Sequence, residues 1–308
     1  MIGLLLVAAM AAAPAEDAAC TAVRPEVQKA LAALDAGQPD AADQILQPLE
    51  SQLSGCSPVL VGLGRAQLAR RNYDRANDFS QEALAFGPED PGALAFRGQM
   101  LAMQGRGKEG LAMLEQSVKL DDKNAEAFYQ LGMLYDRAKR NEDAAAAFER
   151  VTKLRPVDAR AYDYLALNLE PMGKIDEVEK AYRGGLAVNR KPYLDSFLDY
   201  NYGRFLLKLN RLPEAKEHLD KAVALVPQMR MTHYDHAKLN LRLGNLEGAR
   251  DDAEKALSIP DRNGLILDLQ VYTLLAQIYG RLGDETKAQQ YTKLAESSKI
   301  PLRSGDRK

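Results

Sequence analysis

The side chains best equipped for chemistry are few. The three histidines are His218, His233 and His236, and the two cysteines are Cys20 and Cys56. His233 and His236 stand three residues apart, a spacing that puts two imidazoles on one helical face, as in many metal sites. Such a site needs further donors, and no cysteine or second ligand pair lies near them in the sequence. Both also fall on slots that elsewhere hold an aromatic residue and a leucine, so core packing is the favoured reading. No nucleophile elbow, phosphate-cradling glycine loop or paired-carboxylate motif stands out. The expectation is a chain that is not an enzyme and uses no metal or cofactor.

Composition narrows the classes further. Of 308 residues, 46% are hydrophobic and 27% charged, with a formal net charge of -2 and no tryptophan. That balance suits a folded chain. Nucleic acid is an unsuitable partner, because no dense run of lysine or arginine appears. Plentiful Ala, Leu, Lys, Arg and Glu with sparse Val and Ile favour helix over strand. Acidic residues are in mild excess before Ala159 and basic ones after it, a polarity that would orient an asymmetric partner.

The first fifteen residues, Met1 to Ala15, carry an apolar run of about a dozen residues, too short to span a bilayer. Ala13-Pro14-Ala15 supplies the small residues that a signal peptidase reads, so cleavage after Ala15 is expected, with residues 16–22 as a short extension. No lysine or arginine precedes the apolar run, which departs from the usual leader. Lipid attachment at Cys20 is disfavoured, because Asp17 stands where an aliphatic residue is needed. The chain is therefore expected to be periplasmic or secreted, with no membrane span.

The elements that must position these residues follow from a 34-residue period. In the segment opening at Ala125, Phe128, Leu131, Gly132 and Tyr135 lie at 0, 3, 4 and 7, one face of a helix. Ala144, Phe148 and Val151 mark a second helix, and Pro156 ends the unit. Each helix alone leaves an apolar stripe exposed. Pairing covers part of it, and the next pair covers the rest. The same grid places units at 23, 57, 91, 125, 159, 196, 230 and 269, reaching residue 300, with 301–308 as a polar tail. Extra residues between 189 and 195 and between 260 and 267 mark loops, with Pro192, Pro260 and Gly264 as breakers. The first unit is degenerate, with Pro48 inside its second helix.

Leu131-Gly132, Tyr135, Ala144, Phe148 and Pro156, and their counterparts in the other units, resemble the tetratricopeptide repeat family. The resemblance implies an all-α fold: a right-handed superhelical solenoid of about eight antiparallel helix pairs, whose first helices line a concave groove. It also implies protein or peptide binding. Transferred to this numbering, the groove positions of the early units are Val27, Leu31, Val61, Arg65, Gln99, Met103, Tyr129 and Met133, a largely apolar and adaptable lining. The later units give Phe197, Tyr200, Arg204, Lys208, Tyr234, Lys238, Arg242 and Arg281, an aromatic and basic lining suited to carboxylates. The family's carboxylate clamp does not transfer, because Val27 and Leu31 replace its lysine and asparagine.

Cys20 and Cys56 flank the first hairpin, where the start of one helix lies beside the end of its partner. A disulfide between them is expected in an oxidising compartment. Three functions compete: a scaffold in envelope assembly, an accessory to anionic polysaccharide handling, and a regulatory subunit of an exported enzyme. The uncapped C-terminal repeat is a further place where a second copy or another protein is expected to pair.

Overall fold

The structure is a computed structural model that describes residues 16–191, 194–260 and 264–298. The expected leader over residues 1–15 and the tail over 301–308 lie outside the described residues. Every regular element among those residues is helical. The chain forms two compact units, residues up to 178 with 188–194, and residues 179–187 with the chain from 195 onward.

The first unit contains α1 (Glu16–Ala22), α2 (Arg24–Asp35), α3 (Pro39–Gln52), α4 (Ser57–Ala69), α5 (Tyr73–Phe86), α6 (Pro91–Met103), α7 (Gly107–Leu120), α8 (Ala125–Arg137), α9 (Asn141–Leu154) and α10 (Ala159–Leu169). A 3-10 turn over Glu170–Met172 follows, and α11 (Ile175–Val188) runs across the boundary between units. The second unit continues with α12 (Leu198–Lys208), α13 (Leu212–Leu225), α14 (Arg230–Leu243), α15 (Leu246–Ser258), α16 (Asp268–Leu282) and α17 (Glu285–Ser298). Within each unit, consecutive helices pack as hairpins. First helices also touch their counterparts in the next pair, as α4 does α6 and α12 does α14.

Local chemistry sets the ends of these helices. Asp90, Asn124 and Asn245 accept hydrogen bonds from the amides of Ala93, Ala127 and Gly248, capping α6, α8 and α15. Prolines occupy the first turn of α2, α3, α4 and α6, where a missing N–H removes no helical bond. The turn inside each hairpin needs one left-handed residue. Gly37, Arg71, Gly105, Lys139 and Gly173 supply it at 34-residue intervals, followed by Asn210, Gly244 and Gly283. The longer steps from Gly173 to Asn210 and from Gly244 to Gly283 carry the two insertions.

The core is built between pairs as well as within them. Leu60, Val61, Ala76 and Ala83 of one hairpin form a single cluster with Ala93, Phe96 and Met100 of the next. Ala95 and Leu114 join Ala127, Leu131 and Ala147 in the same manner. Each hairpin thus hands an uncovered apolar face to its neighbour, which is how a repeat stack is stabilised.

Two glycines make a close approach inside one hairpin. A Cβ on Gly110 would lie 2.7 Å from the Gly98 carbonyl oxygen, so α6 and α7 touch backbone to backbone. Alanine ordinarily improves a helix by about 0.5–1 kcal/mol over glycine. At Gly110 the clash reverses that sign, and Gly110→Ala is expected to destabilise the first unit by about 1–3 kcal/mol. At Gly280 nothing lies within 4 Å of the added Cβ. Gly280→Ala is therefore expected to stabilise the second unit by about 0.5–1 kcal/mol. Urea unfolding of the two variants checks the opposite signs.

Candidate functional site

Of the five fifth-position residues expected to face a groove, three join the core, while Tyr129 and Tyr234 are half-buried. Val27, Val61 and Tyr200 are 3%, 7% and 2% exposed, which corrects the expectation that they line an open surface. The reason is the contact between successive first helices. Val27 packs in one cluster with Val59 and Leu63, and Val61 with Ala93 and Phe96. The Tyr200 hydroxyl donates to Asp235 Oδ2 of α14 at 2.8 Å. Access grows toward the C-terminal end of the first helices. Leu31, Gln99, Met133, Arg204 and Lys238 are half-buried, whereas Met103, Lys208, Arg242 and Arg281 are exposed, as is Phe197 near the start of α12.

In the first unit the one candidate cation, Arg65, already holds a carboxylate. Arg65 donates to Glu126 Oε2 at 3.1 Å across an intervening hairpin, Arg155 lies 3.5 Å from the same oxygen, and Gln130 donates to Oε1 at 2.9 Å. Burial pushes the Glu126 carboxyl up, but Arg65, Arg155, Gln130 and Arg160 bring it down to about 2. Tyr129 lies against Phe148 and Tyr164, with the Arg160 guanidinium 5.7 Å from its ring centre. Burial raises the pKa of its hydroxyl. This part of the first unit is a polar cluster in which Arg65 and Arg155 share one carboxylate.

The second unit has a cleft of its own. Tyr200, Arg204 and Lys208 of α12 meet Tyr234, Asp235, Lys238 and Arg242 of α14 around one cleft, which Leu265, Ile266 and Gln270 complete. Arg204 and Lys208 are one helical turn apart, as are Lys238 and Arg242, and each pair repeats the other's slots 34 residues on. Arg242 also donates to the Leu207 carbonyl at 2.8 Å, and Arg281 to the Leu241 carbonyl at 2.9 Å. Each thereby satisfies an acceptor in the last turn of the preceding first helix, where helices lack internal donors. Asp235, Leu265 and Ile266 were not singled out by sequence reasoning. The signal available for the last two was an apolar pair inside an insertion otherwise rich in loop-forming residues.

The histidines are not apolar filling. His233 Nδ1 lies 3.1 Å from Asp252 Oδ1, and its Nε2 lies 3.0 Å from the Pro227 carbonyl. His236 Nδ1 lies 2.7 Å from Asp252 Oδ2, and its Nε2 lies 2.9 Å from Asp220 Oδ1. Asn240 donates to Asp252 at 2.9 Å, and Lys216 pairs with Asp220 at 2.6 Å. His218 faces Asp199 at 2.8 Å. Among the described residues, no three His, Cys, Asp or Glu side chains are grouped to hold a metal ion.

His236 ties α14 to both α13 and α15, and its protonation should be felt in stability. Burial pushes its pKa down, yet Asp252 and Asp220 more than offset this and raise it above the ordinary value. Burial raises the Asp252 carboxyl, while His233 and His236 hold it down to about 2. A raised folded pKa gives stability that is complete below the unfolded histidine value of about 6.5 and is lost as pH climbs through the folded value. The second unit should therefore unfold at lower urea at about pH 8.5 than at about pH 6. His236→Gln should flatten that slope, and a wild-type midpoint independent of pH would contradict the assignment.

The bridge between Cys20 and Cys56 is formed, with Cα atoms 5.5 Å apart, and Cys20 sits within α1, not ahead of the first helix. At the C-terminal repeat, α17 exposes Thr286, Gln289, Gln290 and Lys293, with Leu294 about a third exposed. Among the described residues, no helix is long and apolar enough to cross a membrane.

Comparison with known sequences gives the same repeat. Tetratricopeptide repeat patterns match residues 61–125 and 172–264 in one form, 101–167 in a second and 269–298 in a third. The first form alone takes in half of the chain. The chain belongs to the tetratricopeptide repeat family. Tetratricopeptide repeat folds serve as scaffolds for protein–protein interaction, typically without catalysis. This member is similar to the human Protein O-mannosyl-transferase TMTC1, at 24% identity over 204 residues, which are 65% of this chain and 23% of that protein. It thus spans about a quarter of the length of that relative. Among solved structures, the APC/C hetero-tetramer Cut9–Hcn1 matches at a TM-score of 0.69 and 14% identity, covering 83% of this chain and 49% of the other. PilW, described as a type IV pilus biogenesis factor, matches at a TM-score of 0.57 and 19% identity, covering 70% and 95%. At these identities the two structures share the fold with this tetratricopeptide repeat chain.

Proposed function

We propose that this protein is a non-enzymatic scaffold that holds a protein or peptide partner in an assembly of the cell envelope. The observation that carries the reading is the cleft of the second unit, where side chains from two successive first helices converge on one open volume of about 380 Å³. Such a surface is rigid, because its helices are fixed by the core beneath, and it holds an extended segment without doing chemistry on it. Catalysis by the histidines is disfavoured, since both ring nitrogens of His236 are engaged by carboxylates. The envelope location is supported by the Cys20–Cys56 bridge, which persists in an oxidising compartment.

A second reading is favoured by the four cations of the cleft, which suit an anionic polysaccharide. Photo-crosslinking in cells from Lys208 and Phe197, followed by mass spectrometry, separates the two. Discrete protein partners recovered from the envelope fraction support the scaffold. Crosslinks to glycan alone, or a hydrolase activity that disappears on altering His233 or His236, would overturn it.

A further inference from the structure

We infer that the Arg65–Glu126 pair is a strap that ties α4 to α8 across α6 and so fixes the spacing of first helices in the first unit. The inference goes beyond the scaffold reading and does not depend on the cleft of the second unit. Arg65 stands on α4 and Glu126 on α8, 61 residues apart, with the hairpin of α6 and α7 between them. In the stack α6 packs against both α4 and α8, so a direct link between those two must pass over it. The repeat makes room for the crossing. Val61, Ala95 and Tyr129 occupy one slot at 34-residue intervals, and the middle helix carries the smallest of the three there.

The strap is built unlike the short-range ion pairs of the same unit. Arg106–Glu109, Arg140–Asp143 and Lys153–Glu149 join residues three or four apart in the chain, and their side chains are about half exposed. Such pairs hold little, because water and salt screen them. Arg65 and Glu126 are only 22% and 20% exposed, with nitrogen and oxygen 3.1 Å apart. Glu126 is also held from its far side. Arg155, just after α9, lies 3.5 Å from the same oxygen, and Gln130 donates to the other at 2.9 Å. The carboxylate is thus anchored to α8 and α9, and Arg65 is the arm that reaches back to α4. Arg160 of α10 adds positive charge while it bonds both oxygens of Asp158, and Tyr129 lies alongside. Against the cost of burial, these partners hold the Glu126 carboxyl down to about 2. Its contribution is present above the unfolded glutamate value of about 4.3 and is lost only as pH falls through that lower value. The strap therefore stays ionised in mild acid.

Double electron–electron resonance on the full disulfide-bonded chain reads this spacing directly. Spin labels go on Ala69 and Arg137, exposed at the ends of α4 and α8, through genetically encoded keto residues that leave the cysteines paired. The otherwise unaltered chain should give one narrow distance distribution, the same at about pH 7 and about pH 4. Glu126→Gln and Arg65→Gln should each lengthen and broaden it, and the double variant should go no further than either one, because both remove the same link. Glu126→Asp, which keeps the charge but shortens the reach by one methylene, should broaden it too. Glu149→Gln, which removes a pair within α9, should leave it alone. Thermal melts establish that each variant is folded at the temperature of the measurement. If Glu126→Gln is not, Arg65→Gln and Glu126→Asp carry the comparison. A merely local role would lower the melting temperature without moving the distance. Folded variants whose distribution matches the parent's, or a parent distribution that is already broad or widens by about pH 4, would overturn the strap.

Discussion

Phe148→Ala is expected to cost the first unit about 3–5 kcal/mol. Phe148 is fully buried, its ring stacks on Tyr164 at 5.0 Å and meets Tyr129 edge-on at 5.6 Å. Gly132 opposite it has no room for a Cβ, which would lie 2.7 Å from the ring. Truncation therefore removes a large apolar side chain and leaves a cavity that the closely set α8 and α9 cannot collapse to fill. Because stability in a repeat stack passes from neighbour to neighbour, the loss should spread to α10 on one side and α7 on the other. Urea unfolding with hydrogen exchange measures both effects. A loss under about 1 kcal/mol would mean that this aromatic cluster is not a keystone of the unit.

Reduction of the Cys20–Cys56 bridge is the second large effect. Closing a loop of this length stabilises by about 3–4 kcal/mol in the chain-entropy model. The first hairpin needs it more than the others do. Its core is small, drawn from Val27, Ala30, Ala42 and Leu46 with Val59 and Leu63 of α4, and Pro48 removes a hydrogen bond inside α3. A double Cys20→Ser/Cys56→Ser variant should lose exchange protection over α2 and α3. Protection over α8 and α9 should stay as it is, since two hairpins lie between them and the first. Uniform loss across the first unit would argue instead that its hairpins unfold as one.

How much of this was legible beforehand varies with the interaction. The apolar slots were readable because a 3.6-residue helical period and a 34-residue repeat period coincide, as in Leu131-Gly132 with Ala144 and Phe148. The bridge was readable because a hairpin brings its ends together. The accessible surface was not readable in the same way. Val27, Val61 and Tyr200 occupy slots assigned to a groove, yet the contact between successive first helices buries them. Burial there depends on how closely two hairpins approach, which no single hairpin's pattern specifies. The histidine slots were read as packing, and the structure fills them with a network running from Asp220 through His236 and Asp252 to His233.

The sequence by itself determined the helical period, the hairpin and its small-residue contacts, and the pairing of the two cysteines, because each depends on residues close in the chain or on a repeat that registers them. Tertiary structure alone decided which charges meet one another. Arg65 reaches Glu126 across a whole hairpin, and Arg204, Lys208, Lys238 and Arg242 from two helices line one cleft beside an apolar wall from an insertion. Electrostatic pairing is set by distance in space, and spacing along the chain does not encode that distance once hairpins stack.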